Sequence, residues 1–252
     1  MDHSREWRFR LAVALNVLLA LVLLGVLKMN PARAAQASLS PEEEEAHLRF
    51  QSDLIRKTDN YRGLEWLGKP IWQSVLDLWT LQETIFQVKP ALIVECGTWR
   101  GGSSYYLAQL LDLMGKGRVV TVDIERMHNL SHPRVTYLIG DSVSDPIVNR
   151  VRKAVARAGG PVMVILDSSH AMSHVLKELE IYSAMVTPGS YIHVQDGVID
   201  IQPMFAAGRP GPLRAIEAFL TTHPEFEVDA ARSDRFLITH HPKGWLRRTV
   251  RP

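Results

Sequence analysis

Five acidic residues stand at the ends of five short apolar runs, and their placement is the main chemical signal in the chain. The runs ALIVE (91–95), RVVTVD (118–123), RVTYLIG (134–140), VMVILD (162–167) and SYIHVQD (190–196) close on or beside Glu95, Asp123, Asp141, Asp167 and Asp196. One such acid is ordinarily a helix N-cap. Five in succession form an acidic rim. Glu95-Cys96-Gly97-Thr98-Trp99-Arg100-Gly101-Gly102-Ser103 joins the first run to a helix. Glycines there permit a tight turn and close backbone approach to a ligand, and the helix start presents free N–H groups. The run is not GxGxxG and no P-loop lysine follows, which counts against dinucleotide and triphosphate sites. Asp123, 28 residues after Glu95, suits a ribose diol, because a carboxylate accepts from both hydroxyls. Asp141 and Ser142 are spaced to reach an adenine amino group.

The elements that must position these residues alternate. Between the five strands lie amphipathic stretches at 103–114, 145–159 and 170–186, followed by a helix at 212–223 and a closing antiparallel hairpin within 226–239. This is the pattern of an α/β fold with a doubly wound, mostly parallel sheet, whose ligands bind beyond the carboxyl ends of the strands. The composition agrees: of 252 residues, 46% are hydrophobic and 22% charged. A net charge of +2, from 29 basic and 27 acidic residues, argues against a nucleic-acid binder and against intrinsic disorder. The lone Cys96 excludes an intramolecular disulfide framework and a cysteine zinc knuckle.

Residues 11–27 read LAVALNVLLALVLLGVL, preceded by Arg5, Arg8 and Arg10. They predict an N-terminal transmembrane helix, a single-pass anchor; the alternative is a signal peptide cut after Ala35-Gln36-Ala37. Ser40-Pro41-Glu42 has the makings of a helix start. The expected organisation is an anchor and linker at 1–37, a helical lead-in at 38–90 and the catalytic domain at 91–252.

Several of these segments resemble one family. LIVECGTWRGGSS, GKGRVVTVDI, HPRVTYLIGDS, VMVILDSSH, HVLKELEIYSAMVTPGSYIHVQD and GPLRAIEAFL are similar to class I S-adenosylmethionine (SAM)-dependent methyltransferases, in the group of cephalosporin hydroxylases, rhamnosyl O-methyltransferases and macrolide-sugar O-methyltransferases. The resemblance covers roughly residues 65–248 and implies a Rossmann-like fold and SAM as cofactor. It implies a cofactor pocket built from Glu95, Gly97, Trp99, Gly101, Ser103, Asp123, Asp141, Ser142 and Asp167, with Trp99 and Ser103 at positions that contact the methionine portion.

The same resemblance implies a divalent ion, usually Mg2+, on Asp167 and on the pair Gln195-Asp196. Gln195 departs from the family pattern, where an acid is usual; an amide oxygen still ligates a hard cation, but the site loses one negative charge. His170 matches the histidine proposed as general base, taking the proton of an acceptor hydroxyl as it attacks the methyl sulfonium. His174 and His193 read as packing or hydrogen-bonding residues. Trp66, Trp72 and Trp79 fall in a region that in the family caps the site and contributes to oligomer contacts, and 202–211 has the composition of a substrate-covering loop. The expected activity is O-methylation of a sugar, glycolipid or natural-product hydroxyl, on a small-molecule or lipid-linked acceptor, by a membrane-tethered enzyme with its domain in the cytoplasm, exported instead if cleaved near Ala37. Two alternatives stay open: an iron-dependent hydroxylase on Asp167, His170 and His174, and a non-catalytic SAM-binding subunit.

Overall fold

The computed structural model describes residues 39–58 and 62–249, so the apolar run 11–27 and the site near Ala37 lie outside the described residues. No helix among the described residues is long and apolar enough to cross a membrane. Helix α1 (Pro41–Lys57) opens with a capping box: Ser40 Oγ accepts from the Glu43 amide at 3.3 Å and Glu43 Oε2 accepts from the Ser40 amide at 2.8 Å. A two-stranded hairpin, β1 (Glu65–Trp66) and β2 (Lys69–Pro70), then leads into α2 (Val75–Val88).

The sequence runs become the strands β3 (Leu92–Cys96), β4 (Arg118–Asp123), β5 (Val135–Ile139), β6 (Val162–Leu166) and β7 (Tyr191–Val194). All five are parallel, with Leu92 in register with Arg118 on one side and Val162 on the other. Between them run α3 (Gly102–Leu113), α4 (Asp145–Ala156) and α5 (Met172–Tyr182), and α6 (Pro212–Leu220) follows β7. The closing hairpin is wider than the sequence suggests. Strand β8 (Phe226–Val228) pairs antiparallel with β9 (Trp245–Arg248), and β9 also pairs with β7. The expected second strand within 229–239 instead begins as the short helix Ala230–Ser233, because the Asp229 side chain accepts from the Arg232 amide and caps it.

The sheet order is β5-β4-β3-β6-β7-β9-β8. Chain progression reverses direction between β3 and β6, and the crevice outside their carboxyl ends is where such sheets bind ligands. Pleating sends Leu92, Val94 and Cys96 to one face, where they meet Val148 and Val151 of α4, Leu179 and Tyr182 of α5 and Phe219 of α6. Ile93 faces the other way, against Leu81 and Ile85 of α2 and Leu107 and Leu111 of α3. Each such fully buried aliphatic side chain stabilises the fold by roughly 1.5–3 kcal/mol. Glu95 shares the Ile93 face by the same alternation, so a carboxyl is carried into an apolar layer.

Candidate active site

The turn after β3 is held by its neighbours on both sides. The Gly97 amide donates to Val122 O at 2.8 Å and the Asp167 amide donates to Cys96 O at 2.8 Å. Gly97 has φ +101, and a Cβ there would stand 1.8 Å from Asp167 O, so only glycine lets the ends of β3 and β6 come this close. Gly102 makes a second close approach: a Cβ would lie 1.9 Å from Pro70 O. That contact brings the segment after β2, with Ile71, Trp72 and Gln73, over the start of α3.

The result is a cavity of about 530 Å³ whose walls include Gly97, Thr98, Trp99, Ser103, Asp123, Asp141, Ser142, Asp167, His170 and Asp196. This size and mixed lining fit one cofactor-sized ligand. Asp123 Oδ2 accepts from the amides of Thr98 at 2.9 Å and Trp99 at 2.7 Å, which fixes the glycine turn. Its Oδ1 carries only a 3.4 Å contact from the Glu125 amide and is the oxygen left for a ligand hydroxyl. Trp99 sits at φ +44 and its ring stacks on Trp72 at 4.4 Å and 25°. Ser142 lies at the wall with its Oγ on Glu178 Oε1 at 2.5 Å and 3.1 Å from His174 Nε2. The Asp141 carboxylate accepts from the Val143 amide at 3.1 Å.

Two of the expected cofactor residues do not reach the cavity. Glu95 is buried beneath it, accepting from Thr121 Oγ1 at 2.6 Å, and Thr121 Oγ1 lies 2.5 Å from Thr98 Oγ1. Burial pushes its carboxyl up to about 7, against the Thr121 and Ser103 hydroxyls that favour the ionised form. Gly101 turns the chain at φ +81 and faces His128 and Leu130. Both support the turn from behind.

The acidic end is built on β6 and β7. Ligand atoms of Asp167, His170 and Asp196 lie within 4.8 Å of one another, with His170 Nε2 3.3 Å from Asp196 Oδ2. Burial, and then the charges of Asp196, Glu95 and Glu178, raise the Asp167 carboxyl well above the usual range. Two carboxylates and an imidazole converging within 4.8 Å are hard and borderline donors, so the donor set fits a divalent ion. Gln195 is engaged by a neighbour: its Oε1 accepts from Gln73 Nε2 at 2.6 Å, and the same nitrogen donates to Asp167 Oδ2 at 3.0 Å. Gln195 is buried and does not itself line the cavity, its amide oxygen being taken up by Gln73. Asp196 has φ +57, and its amide donates to Nδ1 of the buried His241 at 2.8 Å. Burial pushes His241 down to about 3, so this ring is neutral and free to accept.

His174 Nε2 faces Glu178 Oε1 at 3.4 Å and stands outside the Asp167–His170–Asp196 group. The two-histidine, one-carboxylate iron set is therefore not assembled. Glu178 raises the His174 pKa from its ordinary value. His193 is core, stacked on Trp245 at 3.8 Å. Trp66 packs edge-on against Tyr106, and Trp79 is exposed. No residue of 202–211 lines the cavity; instead Gln202 Nε2 bonds Leu48 O and Gln51 Oε1 of α1. Sequence reasoning missed Gln73 and His241, which touch the acidic end from distant segments with no motif of their own.

The model of the rhamnosyl O-methyltransferase/CmcI family matches residues 59–249. This chain belongs to that family. It is 31% identical over 235 residues to the rhamnosyl O-methyltransferase of Mycobacterium tuberculosis (strain ATCC 25618 / H37Rv), covering 89% of this chain and 93% of the relative. The Mycobacterium leprae (strain TN) rhamnosyl O-methyltransferase is 29% identical over 208 residues, covering 81% and 89%. Among solved structures, CmcI in a Mg–SAM form shares the fold, with a TM-score of 0.60 at 18% identity over 75% of this chain and 78% of that one. As a member of the rhamnosyl O-methyltransferase/CmcI family, the chain is an S-adenosylmethionine-dependent O-methyltransferase.

Proposed function

We infer that the enzyme methylates a hydroxyl of a sugar, of which a rhamnosyl group on a natural-product or lipid-linked acceptor is the leading candidate. The observation that carries this reading is the convergence of Asp167, His170 and Asp196 at one end of the cavity walled by Gly97, Trp99 and Asp123. Asp123 Oδ1 would take the ribose hydroxyls of SAM, while Trp99 and Ser103 flank its methionine portion. Asp167 and Asp196 would hold a divalent ion, Mg2+ first, with Gln195 able to join only after leaving Gln73. Such an ion supplies acidity to a bound hydroxyl and orients it. His170, whose side chain is 34% exposed, takes the acceptor proton. The acceptor oxygen forms its bond to the methyl carbon, the carbon–sulfur bond breaks and its electron pair stays on sulfur, leaving S-adenosylhomocysteine.

Residues 11–27 support a tethered enzyme; Arg5, Arg8 and Arg10 before them favour an outward domain by a thin charge margin, and the supply of SAM in the cytoplasm is what argues for a domain on the cytoplasmic side. A C-terminal reporter active only outside the cytoplasm would reverse that orientation and favour export after cleavage near Ala37. Val75, Trp79 and Phe86 stand exposed on α2 and support self-association through that helix. The function is tested by incubating the full chain in detergent with SAM, Mg2+ and a panel of rhamnosylated acceptors. Formation of S-adenosylhomocysteine with a methylated sugar is expected. SAM binding without transfer to any glycosylated acceptor would overturn the sugar reading.

A further inference from the structure

At the opposite end of the sheet from the active site lies a second groove, of about 870 Å³, floored by the starts of β3, β4 and β5 and walled by α4. Its rim carries Lys89, Lys116, Arg118, Arg150, Lys153 and Arg157, and Arg134 makes a seventh cation. No acid lines it among the described residues. The whole chain has a net charge of only +2, so this is a local concentration of positive charge that the rest of the molecule balances elsewhere. Arg134 is committed to Asp112 and to Gly117 O, and Lys89 lies over the Phe86 ring. The side chains of Lys116, Arg118, Arg150, Lys153 and Arg157 make no ion pair or hydrogen bond with a described residue. Between them the floor is small and uncharged, with Thr136, Ala154, Ala158 and Gly160.

Five unneutralised cations, two from the turn into β4 and its first residue and three from α4 and its C-cap, repel one another across a concave surface, and a bound anion removes that repulsion. Arginine forks match the paired oxygens of a phosphoryl group, and lysines add point charge. A single phosphate would satisfy a small part of this rim; a ligand with two or more phosphoryl groups matches its charge. We propose that the groove binds such a polyphosphoryl anion, either as a free phosphorylated metabolite or as lipid phosphate headgroups presented together. The site is separate from the methyl-transfer cavity and does not depend on the acceptor assigned above.

The test uses the full chain in a non-ionic detergent. Pyrophosphate is titrated calorimetrically without metal, and phosphatidylglycerol in the same micelles is titrated in parallel. The variant Arg150→Ala/Lys153→Ala/Arg157→Ala is compared with Arg49→Ala/Arg56→Ala/Lys57→Ala, which removes the same charge from the exposed face of α1. SAM affinity and thermal midpoint serve as checks on folding. Pyrophosphate binding that weakens at least tenfold in the α4 variant alone, and weakens with added salt, supports a free phosphorylated ligand. Binding of phosphatidylglycerol but not pyrophosphate, with the same dependence on α4, supports the headgroup source. Equal losses in both variants, or no binding of either probe, would overturn the proposal.

Discussion

Gln73 Nε2 lies 2.6 Å from Gln195 Oε1, and the same amide nitrogen reaches Asp167 Oδ2 at 3.0 Å. A side chain from the segment before α2 thus takes up the amide oxygen that the resemblance offers as a metal ligand, and gives Asp167 a hydrogen bond that favours its ionised form. The acidic end of the cavity is therefore a two-carboxylate site, with its third oxygen donor tied back.

Restoring the third acid should expose that difference. Gln195→Glu puts a buried carboxylate beside Asp167 and Asp196, so in chelator it should lower stability by about 1–3 kcal/mol through like-charge repulsion and desolvation. Added Mg2+ should recover the loss, and Mg2+ affinity should rise at least tenfold over the parent. Gln195→Ala should change Mg2+ affinity little, because the parent Oε1 is already engaged. Calorimetric Mg2+ titration and thermal melts with and without chelator measure both, and a large affinity loss in Gln195→Ala would show the amide to be a ligand after all.

Removing the imidazole at position 170 separates chemistry from binding. His170→Ala should lower kcat by roughly 10²–10⁴-fold, the usual worth of a positioned general base, while the Kd for SAM stays within about threefold. Single-turnover methyl transfer with equilibrium SAM binding checks the pair of values. Weakened SAM binding with unchanged turnover would assign His170 to the cofactor instead.

Asp123 links the turn to the ligand. Two amides converge on its Oδ2 while Oδ1 carries only the long contact from Glu125, so Asp123→Ala removes two charge-assisted hydrogen bonds and the proposed ribose acceptor together. SAM affinity should fall about 10–100-fold, and stability by about 1–3 kcal/mol. Asp123→Asn keeps an acceptor for the turn and should recover most of the stability but little of the affinity. Equal recovery of both in fluorescence titrations and melts would argue that the carboxylate serves the turn alone.

Buried Glu95 predicts a pH dependence with a defined sign. Its folded pKa, about 7, lies above the ordinary value of 4.5, so the folded chain holds this proton more tightly than the unfolded one. Stability from this group is complete below about pH 4.5 and falls as pH rises towards 7, by about 3 kcal/mol across the window. Glu95→Gln should flatten the ligand-free stability profile there and be the more stable protein at pH 8. Urea midpoints between pH 5 and 8 decide it; parallel profiles for the two proteins would mean that Glu95 stays ionised in the fold.

Much of the fold was legible because strand and helix periods are local. The five apolar runs needed only β-branched residues bounded by glycine and acids, and each became a parallel strand within one or two residues of its expected limits. The Ser40 cap was readable from three adjacent residues. The closing hairpin was misjudged because its second strand lies beyond a capped helical turn, and pairing across that distance is a tertiary choice. Among the site residues, Gly97, Trp99, Ser103, Asp123, Asp141, Ser142, Asp167, His170 and Asp196 all meet at the cavity, since parallel strands deliver their carboxyl ends to one edge.

What the sequence determined by itself was the alternation of elements, the glycine turn and the rim of acids, and hence the fold class and the family. What only the tertiary structure decided was the direction of individual side chains once neighbours remote in sequence arrived. Gln73 and Gln195 are 122 residues apart, Asp196 and His241 are 45 apart, and Glu95 is turned beneath the cavity by the pleat of a strand whose two faces are both buried. A side chain's period states which face it belongs to, but its hydrogen-bond partner is set by whichever donor the packed fold brings within about 3 Å.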